Sequence, residues 1–196
     1  MTSFASPSMS AAQDTSFARL TSLAVHDLRT PLATIFGFAR TMQRGAELEP
    51  PLPRYVEMII AASEQMTELL EEFGLAARIE GNRYEPVLAE ADTLELARAA
   101  VPDADGQGTT ITTDAPTVER ALALLAECAR KHGGVESVAL HVDGAELTLE
   151  PVTEAAAPVI LGENLRDLGA AVAVRAIRAL GGSVELAGDD LLVRLA

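Results

Sequence analysis

The sequence predicts an α+β protein in two parts, an antiparallel helical hairpin followed by an α/β sandwich. Three observations predict it. Apolar residues in the first part recur at alternating four- and three-residue spacing, the pattern of a helix that buries one stripe. A glycine and three prolines between Gly45 and Pro53 divide that part into two helices. Beyond Gly81–Asn82, short alternating runs are interleaved with amphipathic stretches, which suits a sheet with helices packed on one face.

The first helix is expected from about Asp14 to Arg44. Phe17, Thr21, Ala24, Leu28, Leu32, Ile35, Ala39 and Met42 form one seam, and His26 lies off it, so its ring should point sideways or outward. Gly45 ends the helix, and Ala46–Pro53 reads as a loop. The second helix, about Arg54 to Ile79, carries a seam of Val56, Ile59, Ser63, Met66, Leu70, Phe73 and Ala77. A hairpin alone encloses no core, so two copies are expected to complete a dimeric four-helix bundle. The alternative is that both helices pack on the second half of their own chain. Residues 1–13 read as a disordered lead, 14–80 as the hairpin and 83–196 as the sandwich.

In the second part, Tyr84–Glu90 reads as a strand and Asp92–Val101 as a helix capped by Asp92 or Thr93. Thr109–Asp114 alternates like a strand, with Gly106–Gln107–Gly108 a loop before it. Ala115–Gly134 is an amphipathic helix closed by glycine. Two strands flank an Asp143–Gly144 turn, the clearest hairpin signal in the chain. Leu165–Gly182 reads as a helix, and Ser183–Ala196 as a last hairpin.

Composition narrows the function. The net charge of −14 opposes binding to a phosphate backbone or an anionic membrane, so neither nucleic acid nor membrane is an expected partner. No apolar run approaches the length needed to span a bilayer. The N-terminal segment lacks the basic and apolar regions of a secretory signal, and no sensor domain is expected ahead of His26. A single cysteine, Cys128, leaves no internal disulfide and no multi-cysteine metal site. A cytoplasmic location is expected.

The segment HDLRTPLATIFGFAR, His26 to Arg40, resembles the phosphoacceptor box of bacterial sensor histidine kinases, in which a histidine and an acid precede Thr-Pro-Leu. Every position from His26 to Leu32 matches. The resemblance extends through most of the chain. Val118–Gly134 is similar to the family's N-box helix at Ala121, Leu122, Ala129, Lys131 and His132. Leu168–Leu186 is similar to the segment from the Gly-rich lid into the last helix and strand. The resemblance implies a dimerisation and phosphotransfer hairpin followed by a GHKL/Bergerat-like ATPase fold.

That second part is degenerate. The N-box positions where the family places asparagines to ligate Mg²⁺ read Leu124 and Cys128. Leucine offers no ligand, and a thiol suits a hard cation poorly. No Asp-x-Gly-x-Gly loop occurs in Thr148–Val159. The second glycine box is reduced to Gly169, and little chain is left for an ATP lid. No cofactor is therefore expected; Mg²⁺ would come only with a partner receiver domain.

By resemblance His26 is the phosphoacceptor, Asp27 the base or orienting carboxylate, and Thr30 a hydroxyl able to position water for dephosphorylation of a partner. Pro31 cannot donate a hydrogen bond to the Asp27 carbonyl and is expected to bend the helix there. His132 reads as a cation at a helix C-terminus, His141 as a strand residue and Cys128 as a small buried hydrophobe. The expected function is a histidine phosphotransferase of a phosphorelay, resembling the ChpT-like class. It would take phosphoryl from one response-regulator receiver domain and pass it to another. A pseudokinase scaffold without chemistry at His26, and a kinase with an unorthodox nucleotide site, are the rival readings.

Overall fold

The computed structural model describes residues 20, 23–24, 27–28, 30–38, 41 and 51–196, with the side chains of residues 53 and 56 excepted. The expected lead at 1–13 and the expected phosphoacceptor, His26, lie outside the described residues. The chain divides into two compact units, Met1–Gly74 and Leu75–Ala196.

In the first unit every described residue from 20 to 41 is helical, and 30–38 is the continuous stretch, α1. The second helix, α2, spans Leu52–Glu80. It begins two residues before the expected Arg54, because Pro53 is tolerated in a first helical turn, where its missing N–H has no carbonyl to meet. The rings of Phe38 and Tyr55 lie with centroids 5.1 Å apart. On the predicted stripes Leu32 is 53% exposed and Leu70 52%, and off them Phe36 and Ile60 are exposed as well.

The second unit is built on the sheet. Its elements are β1 (Ala89–Asp92), α3 (Thr93–Ala100), β2 (Asp105–Gly108), β3 (Thr110–Thr113), α4 (Ala115–Gly133), β4 (Ala139–Gly144), β5 (Glu146–Glu150), α5 (Ala157–Ile160), α6 (Leu168–Ala179), β6 (Ser183–Ala187) and β7 (Asp190–Arg194). Five strands form a sheet in the order β2-β4-β5-β7-β6, and β1 and β3 form a separate antiparallel pair. Within the larger sheet β2 runs parallel to β4 and the remaining pairs are antiparallel. Alternate residues Leu140, Val142, Leu147, Leu149, Leu191 and Val193 turn to one face. They share a core with Leu125 and Ala129 of α4 and Ala173 and Ile177 of α6. Leu75 and Ile79, in the last turns of α2, pack on this core, and Arg175 donates to Glu80 at 2.6 Å. The mixed α+β architecture matches the expectation.

Three local expectations are corrected. Tyr84–Leu88 is not a strand; β1 begins at Ala89. Pro86 has no amide for a ladder, and the amide of Val87 is taken by the Asp114 carboxylate at 3.2 Å. Gly106–Gln107–Gly108 is not a loop but part of the edge strand β2. Gly106 has φ of +110°, and a Cβ there would collide with the Val142 carbonyl, so only glycine allows this pairing. The last long helix starts at Leu168 rather than Leu165, where Asp167 caps it by accepting from the Ala170 amide at 3.0 Å.

Candidate functional site

Two groups of residues carry chemistry, one in each unit. In the first, Asp27 is helical and half-buried, Thr30 is exposed, and Pro31 is buried at the start of α1. The Thr30 carbonyl accepts from the Thr34 hydroxyl at 3.2 Å. This back-bonding gives the Thr30 carbonyl a side-chain donor one turn on. His26 is outside the described residues, so the geometry here is that of its helical neighbours.

The second group sits where α4 meets the start of α6. Leu124 is half-buried and Cys128 fully buried. Leu124 Cδ2 lies 2.7 Å from where a Cβ on Gly169 would stand, so the absence of a side chain at Gly169 lets the two helices approach. The position that the resemblance assigns to a metal-ligating amide is thus filled by hydrocarbon. Burial pushes the Cys128 thiol up to about 12, with the neighbouring Asp167 charge acting in the same direction. It is therefore a neutral thiol at physiological pH. Glu127, the nearest carboxylate in sequence, is held on the exposed face by Arg130 at 2.6 Å. Neither Leu124 nor Cys128 thus offers the oxygen ligand that Mg²⁺ takes.

One turn after Cys128, His132 directs Nε2 to Asp167 Oδ2 at 3.1 Å. Lys131 reaches the same oxygen at 3.3 Å. Burial opposes ionisation of Asp167, but the Ala170 amide, His132 and Lys131 outweigh it and hold the carboxyl below its usual range. His132 does lie in the last turn of α4, as expected for a cation on the helix dipole, but its principal partner is Asp167. That partner escaped sequence reasoning because it is distant in the chain. The available signal was an Asp directly before an apolar helical run, the mark of an N-cap. His141 is a strand residue, with Nδ1 2.7 Å from Asp105 Oδ1 across the β2–β4 edge.

Residues 18–82 match the sequence profile of the His Kinase A (phospho-acceptor) domain. No curated protein matches the chain. Among solved structures, the chain is similar to the histidine kinase AdeS of Acinetobacter baumannii, at 18% identity and a TM-score of 0.67. That alignment covers 87% of this chain and 97% of that one. The likeness shows the fold: a helical region followed by an α/β sheet domain. A bacterial phosphotransferase aligns at 13% identity and a TM-score of 0.49, over 96% of this chain and 97% of that one. Full-length ShkA in complex with AMPPNP aligns at 21% identity and a TM-score of 0.49, over 90% of this chain and 44% of that one. Among the described residues, no helix is long and apolar enough to cross a membrane.

Proposed function

We propose that this protein is a histidine phosphotransferase of a bacterial phosphorelay, of the ChpT-like kind, working as a homodimer in the cytoplasm. The observation that carries the reading is the pairing of a His Kinase A match over residues 18–82 with hydrocarbon and a neutral buried thiol, Leu124 and Cys128, at the two N-box positions. Phosphoryl then has to come from a protein donor rather than from ATP. The exposed Leu32, Phe36, Ile60 and Leu70 support a second copy covering the hairpin, since a monomer would leave this apolar surface in water.

The chemistry needs only the phosphoacceptor box and the partner. A ring nitrogen of His26 attacks the phosphorus of an aspartyl phosphate on a receiver domain. The bond from phosphorus to the carboxylate oxygen breaks, and the carboxylate leaves with the electron pair. Asp27 accepts a hydrogen bond from the other ring nitrogen, which fixes the tautomer and stabilises the cationic ring as the bond forms. A second receiver carboxylate then reverses the step and regenerates the imidazole. Mg²⁺ belongs to the receiver. Thr30 is available to position water for phosphatase action on a partner, and a helix bend at Pro31 would open the ring to docking.

The test is transfer of labelled phosphate. The purified chain is given ATP alone, then a panel of phosphorylated receiver domains, with His26→Ala as control. Label passing from a receiver to wild type and on to a second receiver, none arising from ATP and none reaching His26→Ala, is the expected result. Labelling from ATP alone overturns the reading. Receiver binding that survives His26→Ala, with no label in either protein, favours a scaffold.

A further inference from the structure

Cys128, a poor ligand for Mg²⁺, suits a softer ion together with two neighbours at the α4–α6 junction. We propose that Cys128, His132 and Asp167 form a Zn²⁺ site. One ligand atom from each lies within 4.8 Å of the others. Cys128 and His132 are four apart on α4, and so share a helix face. Asp167, the cap of α6, faces them from the other helix, its Oδ1 committed to the Ala170 amide and its Oδ2 directed at His132. Thiolate, imidazole and carboxylate are the donors zinc takes, in sites with three protein ligands and one open position. Such donors stand roughly 3.3–3.6 Å apart around a tetrahedral ion, so the His132–Asp167 pair, at 3.1 Å, must open slightly while the thiol closes in from within 4.8 Å.

The site is sheltered without being sealed. Cys128 is buried, while the His132 and Asp167 side chains retain 19% and 14% exposure. On binding, the S–H proton leaves to solvent and the sulfur–zinc bond forms. Nε2 of neutral His132 turns its lone pair to the ion, with the ring proton carried on Nδ1. The ion takes the place beside Asp167 that Lys131 holds, and Lys131, 58% exposed, swings into water. A dication balances the thiolate and carboxylate charges. The site is independent of phosphotransfer at His26: it would join α4 to α6 and stabilise the second unit.

The sole cysteine of the chain makes the test specific, because any thiolate-to-metal absorption must come from Cys128. Untagged, metal-free full-length protein is titrated with Co²⁺ as an optical stand-in, then with competing Zn²⁺. The expected result is a near-ultraviolet sulfur-to-cobalt band saturating at one ion per chain and lost on adding zinc, with the melting temperature raised by Zn²⁺. Cys128→Ala removes the band. His132→Gln and Asp167→Asn each weaken binding by at least about a hundredfold, at or above the upper end for loss of an outer-shell partner. Asparagine keeps the helix cap, so Asp167→Asn separates ligation from folding. Lys131→Met, which removes only the competing cation, tightens binding severalfold. Absence of the band in folded wild type, one ion per two chains, or a band retained at full affinity in both His132→Gln and Asp167→Asn would each overturn the proposal.

Discussion

The carboxylate beside the proposed phosphoacceptor and the one that caps α4 have opposite duties. Asp27 is proposed to orient a reacting ring, so Asp27→Asn should slow phosphoryl transfer on the order of 10²-fold or more, as for loss of a positioned acid–base group. Single-turnover transfer from a phosphorylated receiver reads this directly. Asp114 holds structure. Its carboxylate accepts from the Tyr84 hydroxyl at 2.9 Å and from the amides of Val87 and Thr117. Burial opposes its ionisation, yet these donors win and hold its carboxyl below the usual value. A depressed carboxylate stabilises the fold above its unfolded pKa of about 3.9 and loses that contribution as pH falls through the lower folded value. Tyr84→Phe should therefore cost about 1 kcal/mol at neutral pH and flatten the acid-side loss of stability. Urea unfolding at stepped pH measures both. The cap of α3, which the structure gives to Asp92, was legible to within one residue, Asp92 or Thr93, because it rests on neighbours in sequence. The tie from Tyr84 to Asp114 and the pairing of His132 with Asp167 were not, because each joins residues about thirty positions apart.

At the scale of elements, alternation and capping read well where side chains carried the pattern. The β4–β5 and β6–β7 hairpins follow their apolar residues, and α4 ends at Gly134 as its glycine predicts. β2 was illegible because Asp-Gly-Gln-Gly presents no alternation, and its pairing depends on what glycine lacks. Gly106→Val should cost on the order of 1–3 kcal/mol from positive-φ strain alone, with the collision at the Val142 carbonyl added. Hydrogen exchange should show the β2–β4 amides losing protection before the rest of the sheet. The hairpin seam was legible as periodicity. Its exposure in one chain is what turns periodicity into a claim about assembly, and Leu32→Glu or Leu70→Glu should convert a dimer to monomer in sedimentation.

For the whole molecule, two compact units on one chain predict two unfolding behaviours. If the hairpin is completed by a second copy, its melting should rise with protein concentration by mass action, while that of the second unit should not. Calorimetry at several concentrations separates them. The burial of Cys128 supplies a finer instrument. A neutral, enclosed thiol that is the only one in the chain reacts with an alkylating reagent only when the sheet domain opens. The protein therefore carries its own stopwatch: with reagent concentrated enough that alkylation outpaces reclosing, each alkylated molecule marks one excursion from the closed state, and the rate of marking counts how often the domain breathes.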